Sequence, residues 1–221
     1  MNRTKSEHLF EEFCKQSSIH CERIPETDHR TPDYCVNVSS IDVICEVKEV
    51  ELSKEEIEAE AALERGEFKS ISSTIGAKVR QQIDSGYPQI KAYAKGSCPG
   101  VLVLWKPHLI PRHLDTHHVR AAMYGFDTIV LSVPNNTPVP PKVLDRKSGP
   151  KKRVTKTQNR SLSAIAVLRK TSDGDAVECR IYHNQHAAIP LPPEAFKCDH
   201  VQQYRLREKS PGQFDEWEQI K

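Results

Sequence analysis

No apolar run in this chain of 221 residues approaches the roughly 20 that a membrane-spanning helix needs. The opening stretch MNRTKSEHLF has no apolar segment of the kind a secretory signal carries. CxxC pairs are absent too. The seven cysteines are an odd number and fall mostly within helix or strand patterns. They read as reduced, largely buried small hydrophobes in a cytoplasmic protein, which argues against a disulfide framework. Net charge is only +2, so bulk charge selects no partner. No internal repeat is visible. What remains is a globular chain, 37% apolar and 28% charged, expected to form a single domain over 1–221 with no membrane partner.

The charge is unevenly spread. Glu49 to Glu67 holds eight acids and two bases, whereas Lys142 to Arg160 holds eight bases and one acid. The acidic part lies within a helical pattern at 53–67, where Ser53 and Glu56 have capping-box spacing, and reads as an exposed insertion. The basic part follows the proline-rich PNNTPVPPK, and 134–160 reads as a flexible basic loop. Lys151, Lys152 and Arg153 in that loop suit contact with phosphates.

The most informative stretch is Thr31–Val50, TPDYCVNVSSIDVICEVKEV. Ile41, Val43, Cys45 and Val47 alternate with Asp42, Ile44, Glu46 and Lys48; Ile44 is the one break in a period-2 pattern rich in β-branched residues that predicts a strand. Side chains at i and i+2 share a face of a strand, so Glu46 and Lys48 project together, opposite Cys45 and Val47. PDYCVNV reads as a second strand with Pro32 at its start, and Val38–Asp42 suffices for a tight turn. An antiparallel hairpin would place Asp33 on one strand and Glu46 on its neighbour, although the register is not fixed by the pattern. Two converging carboxylates repel each other unless a cation intervenes. Mg²⁺ or Mn²⁺, which prefer oxygen ligands, would relieve that repulsion and leave Lys48 to act on a water or a developing charge.

Around this stretch the chain alternates helix and strand patterns. Thr4–Ser17 reads as a helix with Thr4 and Glu7 at capping-box spacing and a stripe of Leu9, Phe10, Phe13 and Cys14. Ile19–Pro25 reads as a strand. Ser73–Ala94 has helical spacing, interrupted at SGYP, where Gly86 and Pro88 predict a kink or two abutting helices. Gln89 and Tyr93 share a face of the second piece, and Lys91 lies between them. GVLVLW at 100–105 is a strand buried on both faces. His113, His117 and His118 have zinc-like spacing, but no cysteine or acid pattern completes four ligands. Thr128–Val133, SLSAIAVLRK (161–170) and AVECRIYHNQHAAIPLP (176–192) are further strand candidates, followed by a tail of prolines and polar residues.

Pro32-Asp33 and Glu46-Val47-Lys48 resemble the signature of the PD-(D/E)XK nuclease superfamily, the restriction-endonuclease-like proteins. QIKAY resembles the QxxxY motif of the exonuclease-like branch. SExLFExF, AMYG and the HN-x-x-A strand end are similar to those of a bacterial group in the same superfamily, and the likeness runs from about Ser6 to Phe196. Pro88 departs from that pattern, because relatives keep this helix regular. The resemblance implies an α/β fold with an αβββαβ core and a mixed central sheet flanked by helices, here extended by two C-terminal strands. It implies metal-dependent phosphodiester hydrolysis, most readily of DNA. Asp33, Glu46 and the Val47 carbonyl would hold Mg²⁺ or Mn²⁺ together with an acid of the first helix, Glu7 or else Glu11. Lys48 would position or activate water, Gln89 would support the site, and Lys91 would approach the substrate backbone. The resemblance admits a homodimer or a place in a multi-protein defence or repair complex. The alternative is a non-catalytic nucleic-acid-binding or regulatory protein on the same fold.

Overall fold

Thr4 starts the first helix by accepting from the Glu7 backbone, and the Glu7 side chain reaches back to the Thr4 N–H, so the capping box is complete. The helix, α1 (Lys5–Gln16), buries Leu9, Phe10, Phe13 and Cys14 along one face. The structure, a computed structural model, describes residues 3–26, 30–94, 96–107, 114–125, 127–133, 140, 142–148, 151–171, 174, 176–210 and 213–220.

Three antiparallel strands follow α1: β1 (His20–Arg23), β2 (Tyr34–Val38) and β3 (Ile41–Glu49). Ser39 and Ser40 join β2 to β3 with φ of 51° and 64°. Left-handed backbone at both positions is what a tight two-residue hairpin needs to match strand twist. Then come α2 (Lys54–Glu64), α3 (Ala77–Ala94), β4 (Gly100–Trp105), α4 (Thr116–Tyr124), β5 (Asp127–Ser132), β6 (Lys142–Ser148), β7 (Leu162–Lys170), β8 (Val177–His183), a 3₁₀ turn at Pro193–Phe196, β9 (Val201–Ser210) and β10 (Gln213–Ile220).

The result is an α/β fold around a mixed eight-stranded sheet in the order β1-β2-β3-β4-β7-β8-β9-β10. β4 lies in its middle, parallel to both β3 and β7, so Val101 to Leu104 are buried on both faces. On one face α1 packs on Val43, Cys45, Val47, Val101 and Val103. On the other, Val79, Ile83 and Ile90 of α3 and Val119 and Met123 of α4 pack on Leu102, Leu104, Ile165 and Val167. The period of two in β3 thus sends Cys45 and Val47 to the α1 face and Glu46 and Lys48 to the α3 face. All seven cysteines are free, three of them fully buried. Among the described residues no helix is long and apolar enough to cross a membrane.

Three expectations change. Two abutting helices at SGYP do not form, because α3 runs through Gly86 and Pro88 as one helix of 18 residues. An interior proline costs roughly 3 kcal/mol and an interior glycine about 1. Burying Val79, Ile83 and Ile90, at roughly 1.5–3 kcal/mol each, outweighs both. Pro88 and Asp84, whose carbonyl loses its usual donor, are on the exposed side, where solvent can replace that bond. The expected loop at 134–160 contains a strand, since β6 pairs with β5 in a separate two-stranded sheet. Finally, the C-terminal extension of the sheet is four strands, β7 to β10, not two. β10 is the edge strand and β9 lies between it and β8; both are polar and held by a few inward residues. Leu206 and Gln203 are buried, and Tyr204 and Trp217 pack on Tyr182.

Candidate functional site

Glu46 is fully buried at the centre of β3, facing α3. The β2–β3 register pairs Tyr34 with Cys45, so one residue further on Asp33 stands opposite Glu46. Asp33 ends the approach to β2, and its Oδ2 accepts from the Val47 N–H at 2.7 Å. The hairpin puts the two acids on its neighbouring arms, as the sequence leads one to expect, and its register sets them opposite each other.

Glu46 Oε1 is doubly bound. Lys48 Nζ lies 2.6 Å from it, and Gln89 Nε2 donates to it at 2.8 Å. Its other oxygen, Oε2, is buried without a hydrogen-bond partner, as is Gln89 Oε1. A buried acceptor left unmatched is costly, and the Asp33 backbone, across the hairpin, is a further group that favours the Glu46 charge. Burial, and then the charge of Asp33, push the Glu46 carboxyl up to about 7 despite Lys48. Burial likewise raises Asp33, opposed by the Val47 N–H and by Lys48. The Lys48 side chain remains partly open to solvent, 28% exposed.

Gly86 explains how α3 comes close enough. A Cβ there would stand 2.8 Å from Leu102 Cδ1 and 3.2 Å from Glu46 Cγ. The glycine read as a helix breaker is instead the position where the helix touches the site, a use of interior glycine that its sequence context alone could have suggested.

The helix acids are placed differently. Both Glu7 oxygens are engaged: Oε2 accepts from Thr4, and Oε1 pairs with Arg23 Nη2 at 3.0 Å. Glu7 still acts on Asp33, whose carboxyl its charge raises. Glu11 is held by the Tyr34 hydroxyl at 2.9 Å and by Arg3 at 3.2 Å. Arg23 had no part in the sequence reading, because nothing local marks it. Its role depends on β1 lying beside β2 and under α1.

The buried Glu46 carboxylate, the half-buried Asp33 carboxylate and the amide oxygen of Gln89 are oxygen donors of the kind a hard divalent cation takes. Mg²⁺ keeps several waters and is often held by only one or two carboxylates. Among the described residues no group of three or more His, Cys, Asp or Glu gathers to hold a metal, so the fit rests on Asp33 and Glu46. His117 and His118 stand edge to face on α4, and His118 Nδ1 lies 2.8 Å from Asp115, the helix N-cap. His113 lies outside the described residues.

The expected phosphate contacts separate. Lys91 is exposed on α3, two residues beyond Gln89. Lys151 and Lys152 are exposed in an irregular segment after β6. Arg153 turns inward and forms a two-pronged ion pair with Asp84 of α3, Nε to Oδ1 at 2.6 Å and Nη2 to Oδ2 at 2.8 Å. Tyr93 is on the exposed side of α3, away from the core that buries Ile90. Comparison of the chain with family models, with curated proteins and with solved structures returns no match.

Proposed function

We propose that this chain is a metal-dependent nuclease of the PD-(D/E)XK type that hydrolyses phosphodiester bonds, with DNA as the substrate. The observation that carries the reading is the Glu46 carboxylate: buried, opposed by Asp33, with one oxygen held by Lys48 and Gln89 and the other without a partner. Such a carboxylate is unstable as an isolated anion and well suited to a cation.

Asp33, Glu46 and the Val47 carbonyl would hold Mg²⁺ or Mn²⁺, and Glu7 reaches the cation only by exchanging its Arg23 contact. When bound, the cation would supply Lewis-acid polarisation of the phosphate and charge neutralisation. The remaining chemistry belongs to the chain. Lys48 sits with its ammonium on Glu46 and its side chain partly in solvent, where it can orient an attacking water and offset the charge that grows on the phosphorane. Gln89 fixes the Glu46 carboxylate from the helix side, so the oxygen without a partner is directed by the other one. The order of elements, α1-β1-β2-β3 and then α3-β4, supports the same reading.

The test is cleavage of supercoiled plasmid with Mg²⁺ or Mn²⁺, comparing the parent with Lys48→Ala. Loss of a positioned acid–base or electrostatic group costs about 10²–10⁴ in rate, so the variant should be inactive on the scale of the assay. Cleavage that survives Lys48→Ala would defeat the site assignment. A second reading, a non-catalytic nucleic-acid binder on the same fold, draws on the absence of a three-ligand group among the described residues. It predicts neither cleavage nor a metal-dependent rise in melting temperature.

A further inference from the structure

A turn of α3 away from the site, an open cavity of ≈ 560 Å³ lies between the helix and the segment at 151–153. Its charged lining is Arg80, Asp84, Lys151 and Arg153. Ser85 also lines it, and Gly86, the next residue, is the one whose missing Cβ admits Glu46 and Lys48. Ser85 and Gln89 are one helical turn apart, a rise of about 6 Å. The cavity therefore opens along the helix that carries Gln89 to Glu46.

The charges in it do not balance. Arg80 is 5% exposed, and among the described residues its guanidinium donates to two backbone carbonyls, Ala121 O at 3.3 Å and Ile75 O at 3.0 Å. Asp84 is spent on both prongs of Arg153. Three cations thus share one carboxylate. Burial and then the nearby Arg153 lower the Arg80 pKa, opposed by the charge of Asp84. The planar fork of Arg matches the tetrahedral oxygens of a phosphate as well as it does a carboxylate. Among the described residues no aromatic side chain lines the cavity, and its charge suits a sugar–phosphate backbone rather than a stacked base.

We propose that this cavity is a phosphate-binding subsite for a nucleic-acid strand that continues to the Glu46–Lys48 centre. Arg80 and Lys151 are its standing cations, and Asp84 holds Arg153 until the phosphate takes it. The proposal rests on the nuclease reading and adds to it an anchoring point that is indifferent to sequence. It gives Asp84 a definite sign: the carboxylate competes with the ligand.

The experiment is fluorescence anisotropy of a labelled single-stranded oligonucleotide in the Lys48→Ala background without divalent metal, with inorganic phosphate as competitor. Asp84→Asn should tighten binding several-fold. Arg153→Ala should weaken it about tenfold, and Arg153→Lys should recover part of the loss. Exposed Lys151→Ala should lower the slope of log K against log salt by about 0.7–1, equally for all sequences. If Asp84→Asn weakens binding as Arg153→Ala does, the pair is a structural brace and the subsite is overturned. Competition by inorganic phosphate on a protein that binds no oligonucleotide would make this a free-anion site and overturn the strand assignment. Binding with these signs by a parent that never cleaves plasmid refutes the nuclease reading alone. Cleavage without these signs refutes the subsite alone.

Discussion

Glu46 and Glu56 are both buried glutamates paired with lysine, and their carboxyls move in opposite directions. Glu56 is the third residue of α2, and its Oε2 accepts from the Ser53 N–H at 2.6 Å to close a capping box. Lys78 lies 3.4 Å from it and Lys106 3.6 Å. Burial pushes Glu56 up, but the Ser53 hydrogen bonds and the two cations outweigh it and hold the carboxyl at about 2. Glu46 has one lysine, an opposing Asp33 and an oxygen without a partner, and stands at about 7. Both sequences read as an acid near a lysine. The difference is that every feature around Glu56 favours its charge, whereas the surroundings of Glu46 leave its charge unfinished. A satisfied carboxylate ties elements together, and an unsatisfied one is available for chemistry.

The comparison breaks first at Glu46. Glu46→Gln should abolish plasmid cleavage, a loss of at least about 10³, because the neutral amide cannot hold the cation. The same substitution should stabilise the metal-free fold. A carboxyl raised from 4.5 to about 7 on folding contributes stability that is complete below about pH 4.5 and is lost as pH rises through 7. Each pKa unit is worth roughly 1.4 kcal/mol. Thermal melts should therefore place Glu46→Gln above the parent at about pH 8 and level with it at about pH 4. A variant that is less stable at both would show Glu46 to be structural, like Glu56.

At Glu56 the sign reverses. Glu56→Gln keeps the capping geometry, since glutamine serves at that position, and removes the charge facing Lys78 and Lys106. The expected cost is about 1–3 kcal/mol near neutral pH. A lowered folded pKa contributes stability above the unfolded value that is lost as pH falls toward about 2, so the melting difference should shrink in that direction. Plasmid cleavage should stay within about twofold of the parent. A large loss of cleavage would mean that α2 takes part in the site.

How much of this could be read from the chain follows the range of the signals. Both capping boxes span three residues, and both are present as expected. The alternation in Ile41–Glu49 is local as well, and it put Glu46 and Lys48 on one face and Cys45 on the other. Asp33 and Glu46 are expected on neighbouring strands, but their register is set only by the two-residue turn at Ser39 and Ser40, which the pattern does not fix. The continuity of α3 was not legible, because local propensity at Gly86 and Pro88 points one way and the burial of Ile83 and Ile90 points the other. Tertiary packing decided it. β9 and β10 have few apolar residues, since an edge hairpin needs only Leu206, Tyr204 and Trp217 to hold it. The pairing of Arg153 with Asp84 joins residues 69 positions apart and leaves no trace in either segment. The basic character of 142–160 was visible in composition, but the inward turn of Arg153 was not.

The smallest expected effect is at Gln89. Its amide donates to the same Glu46 oxygen that Lys48 occupies, but it carries no charge. Donation to a carboxylate favours the ionised form, so Gln89→Ala should move Glu46 further up. If cation binding requires ionised Glu46, the acidic limb of the pH–rate profile follows that carboxyl. The limb should shift toward higher pH in Gln89→Ala, with a loss of about tenfold near neutral pH that is partly recovered in alkaline buffer. Lys91→Ala, two residues along the same helix and exposed, should leave the limb where it is. A Gln89 that merely packed against β3 would lower the rate equally at every pH. The shape of the profile therefore separates a residue that sets the charge of Glu46 from one that only fills space beside it.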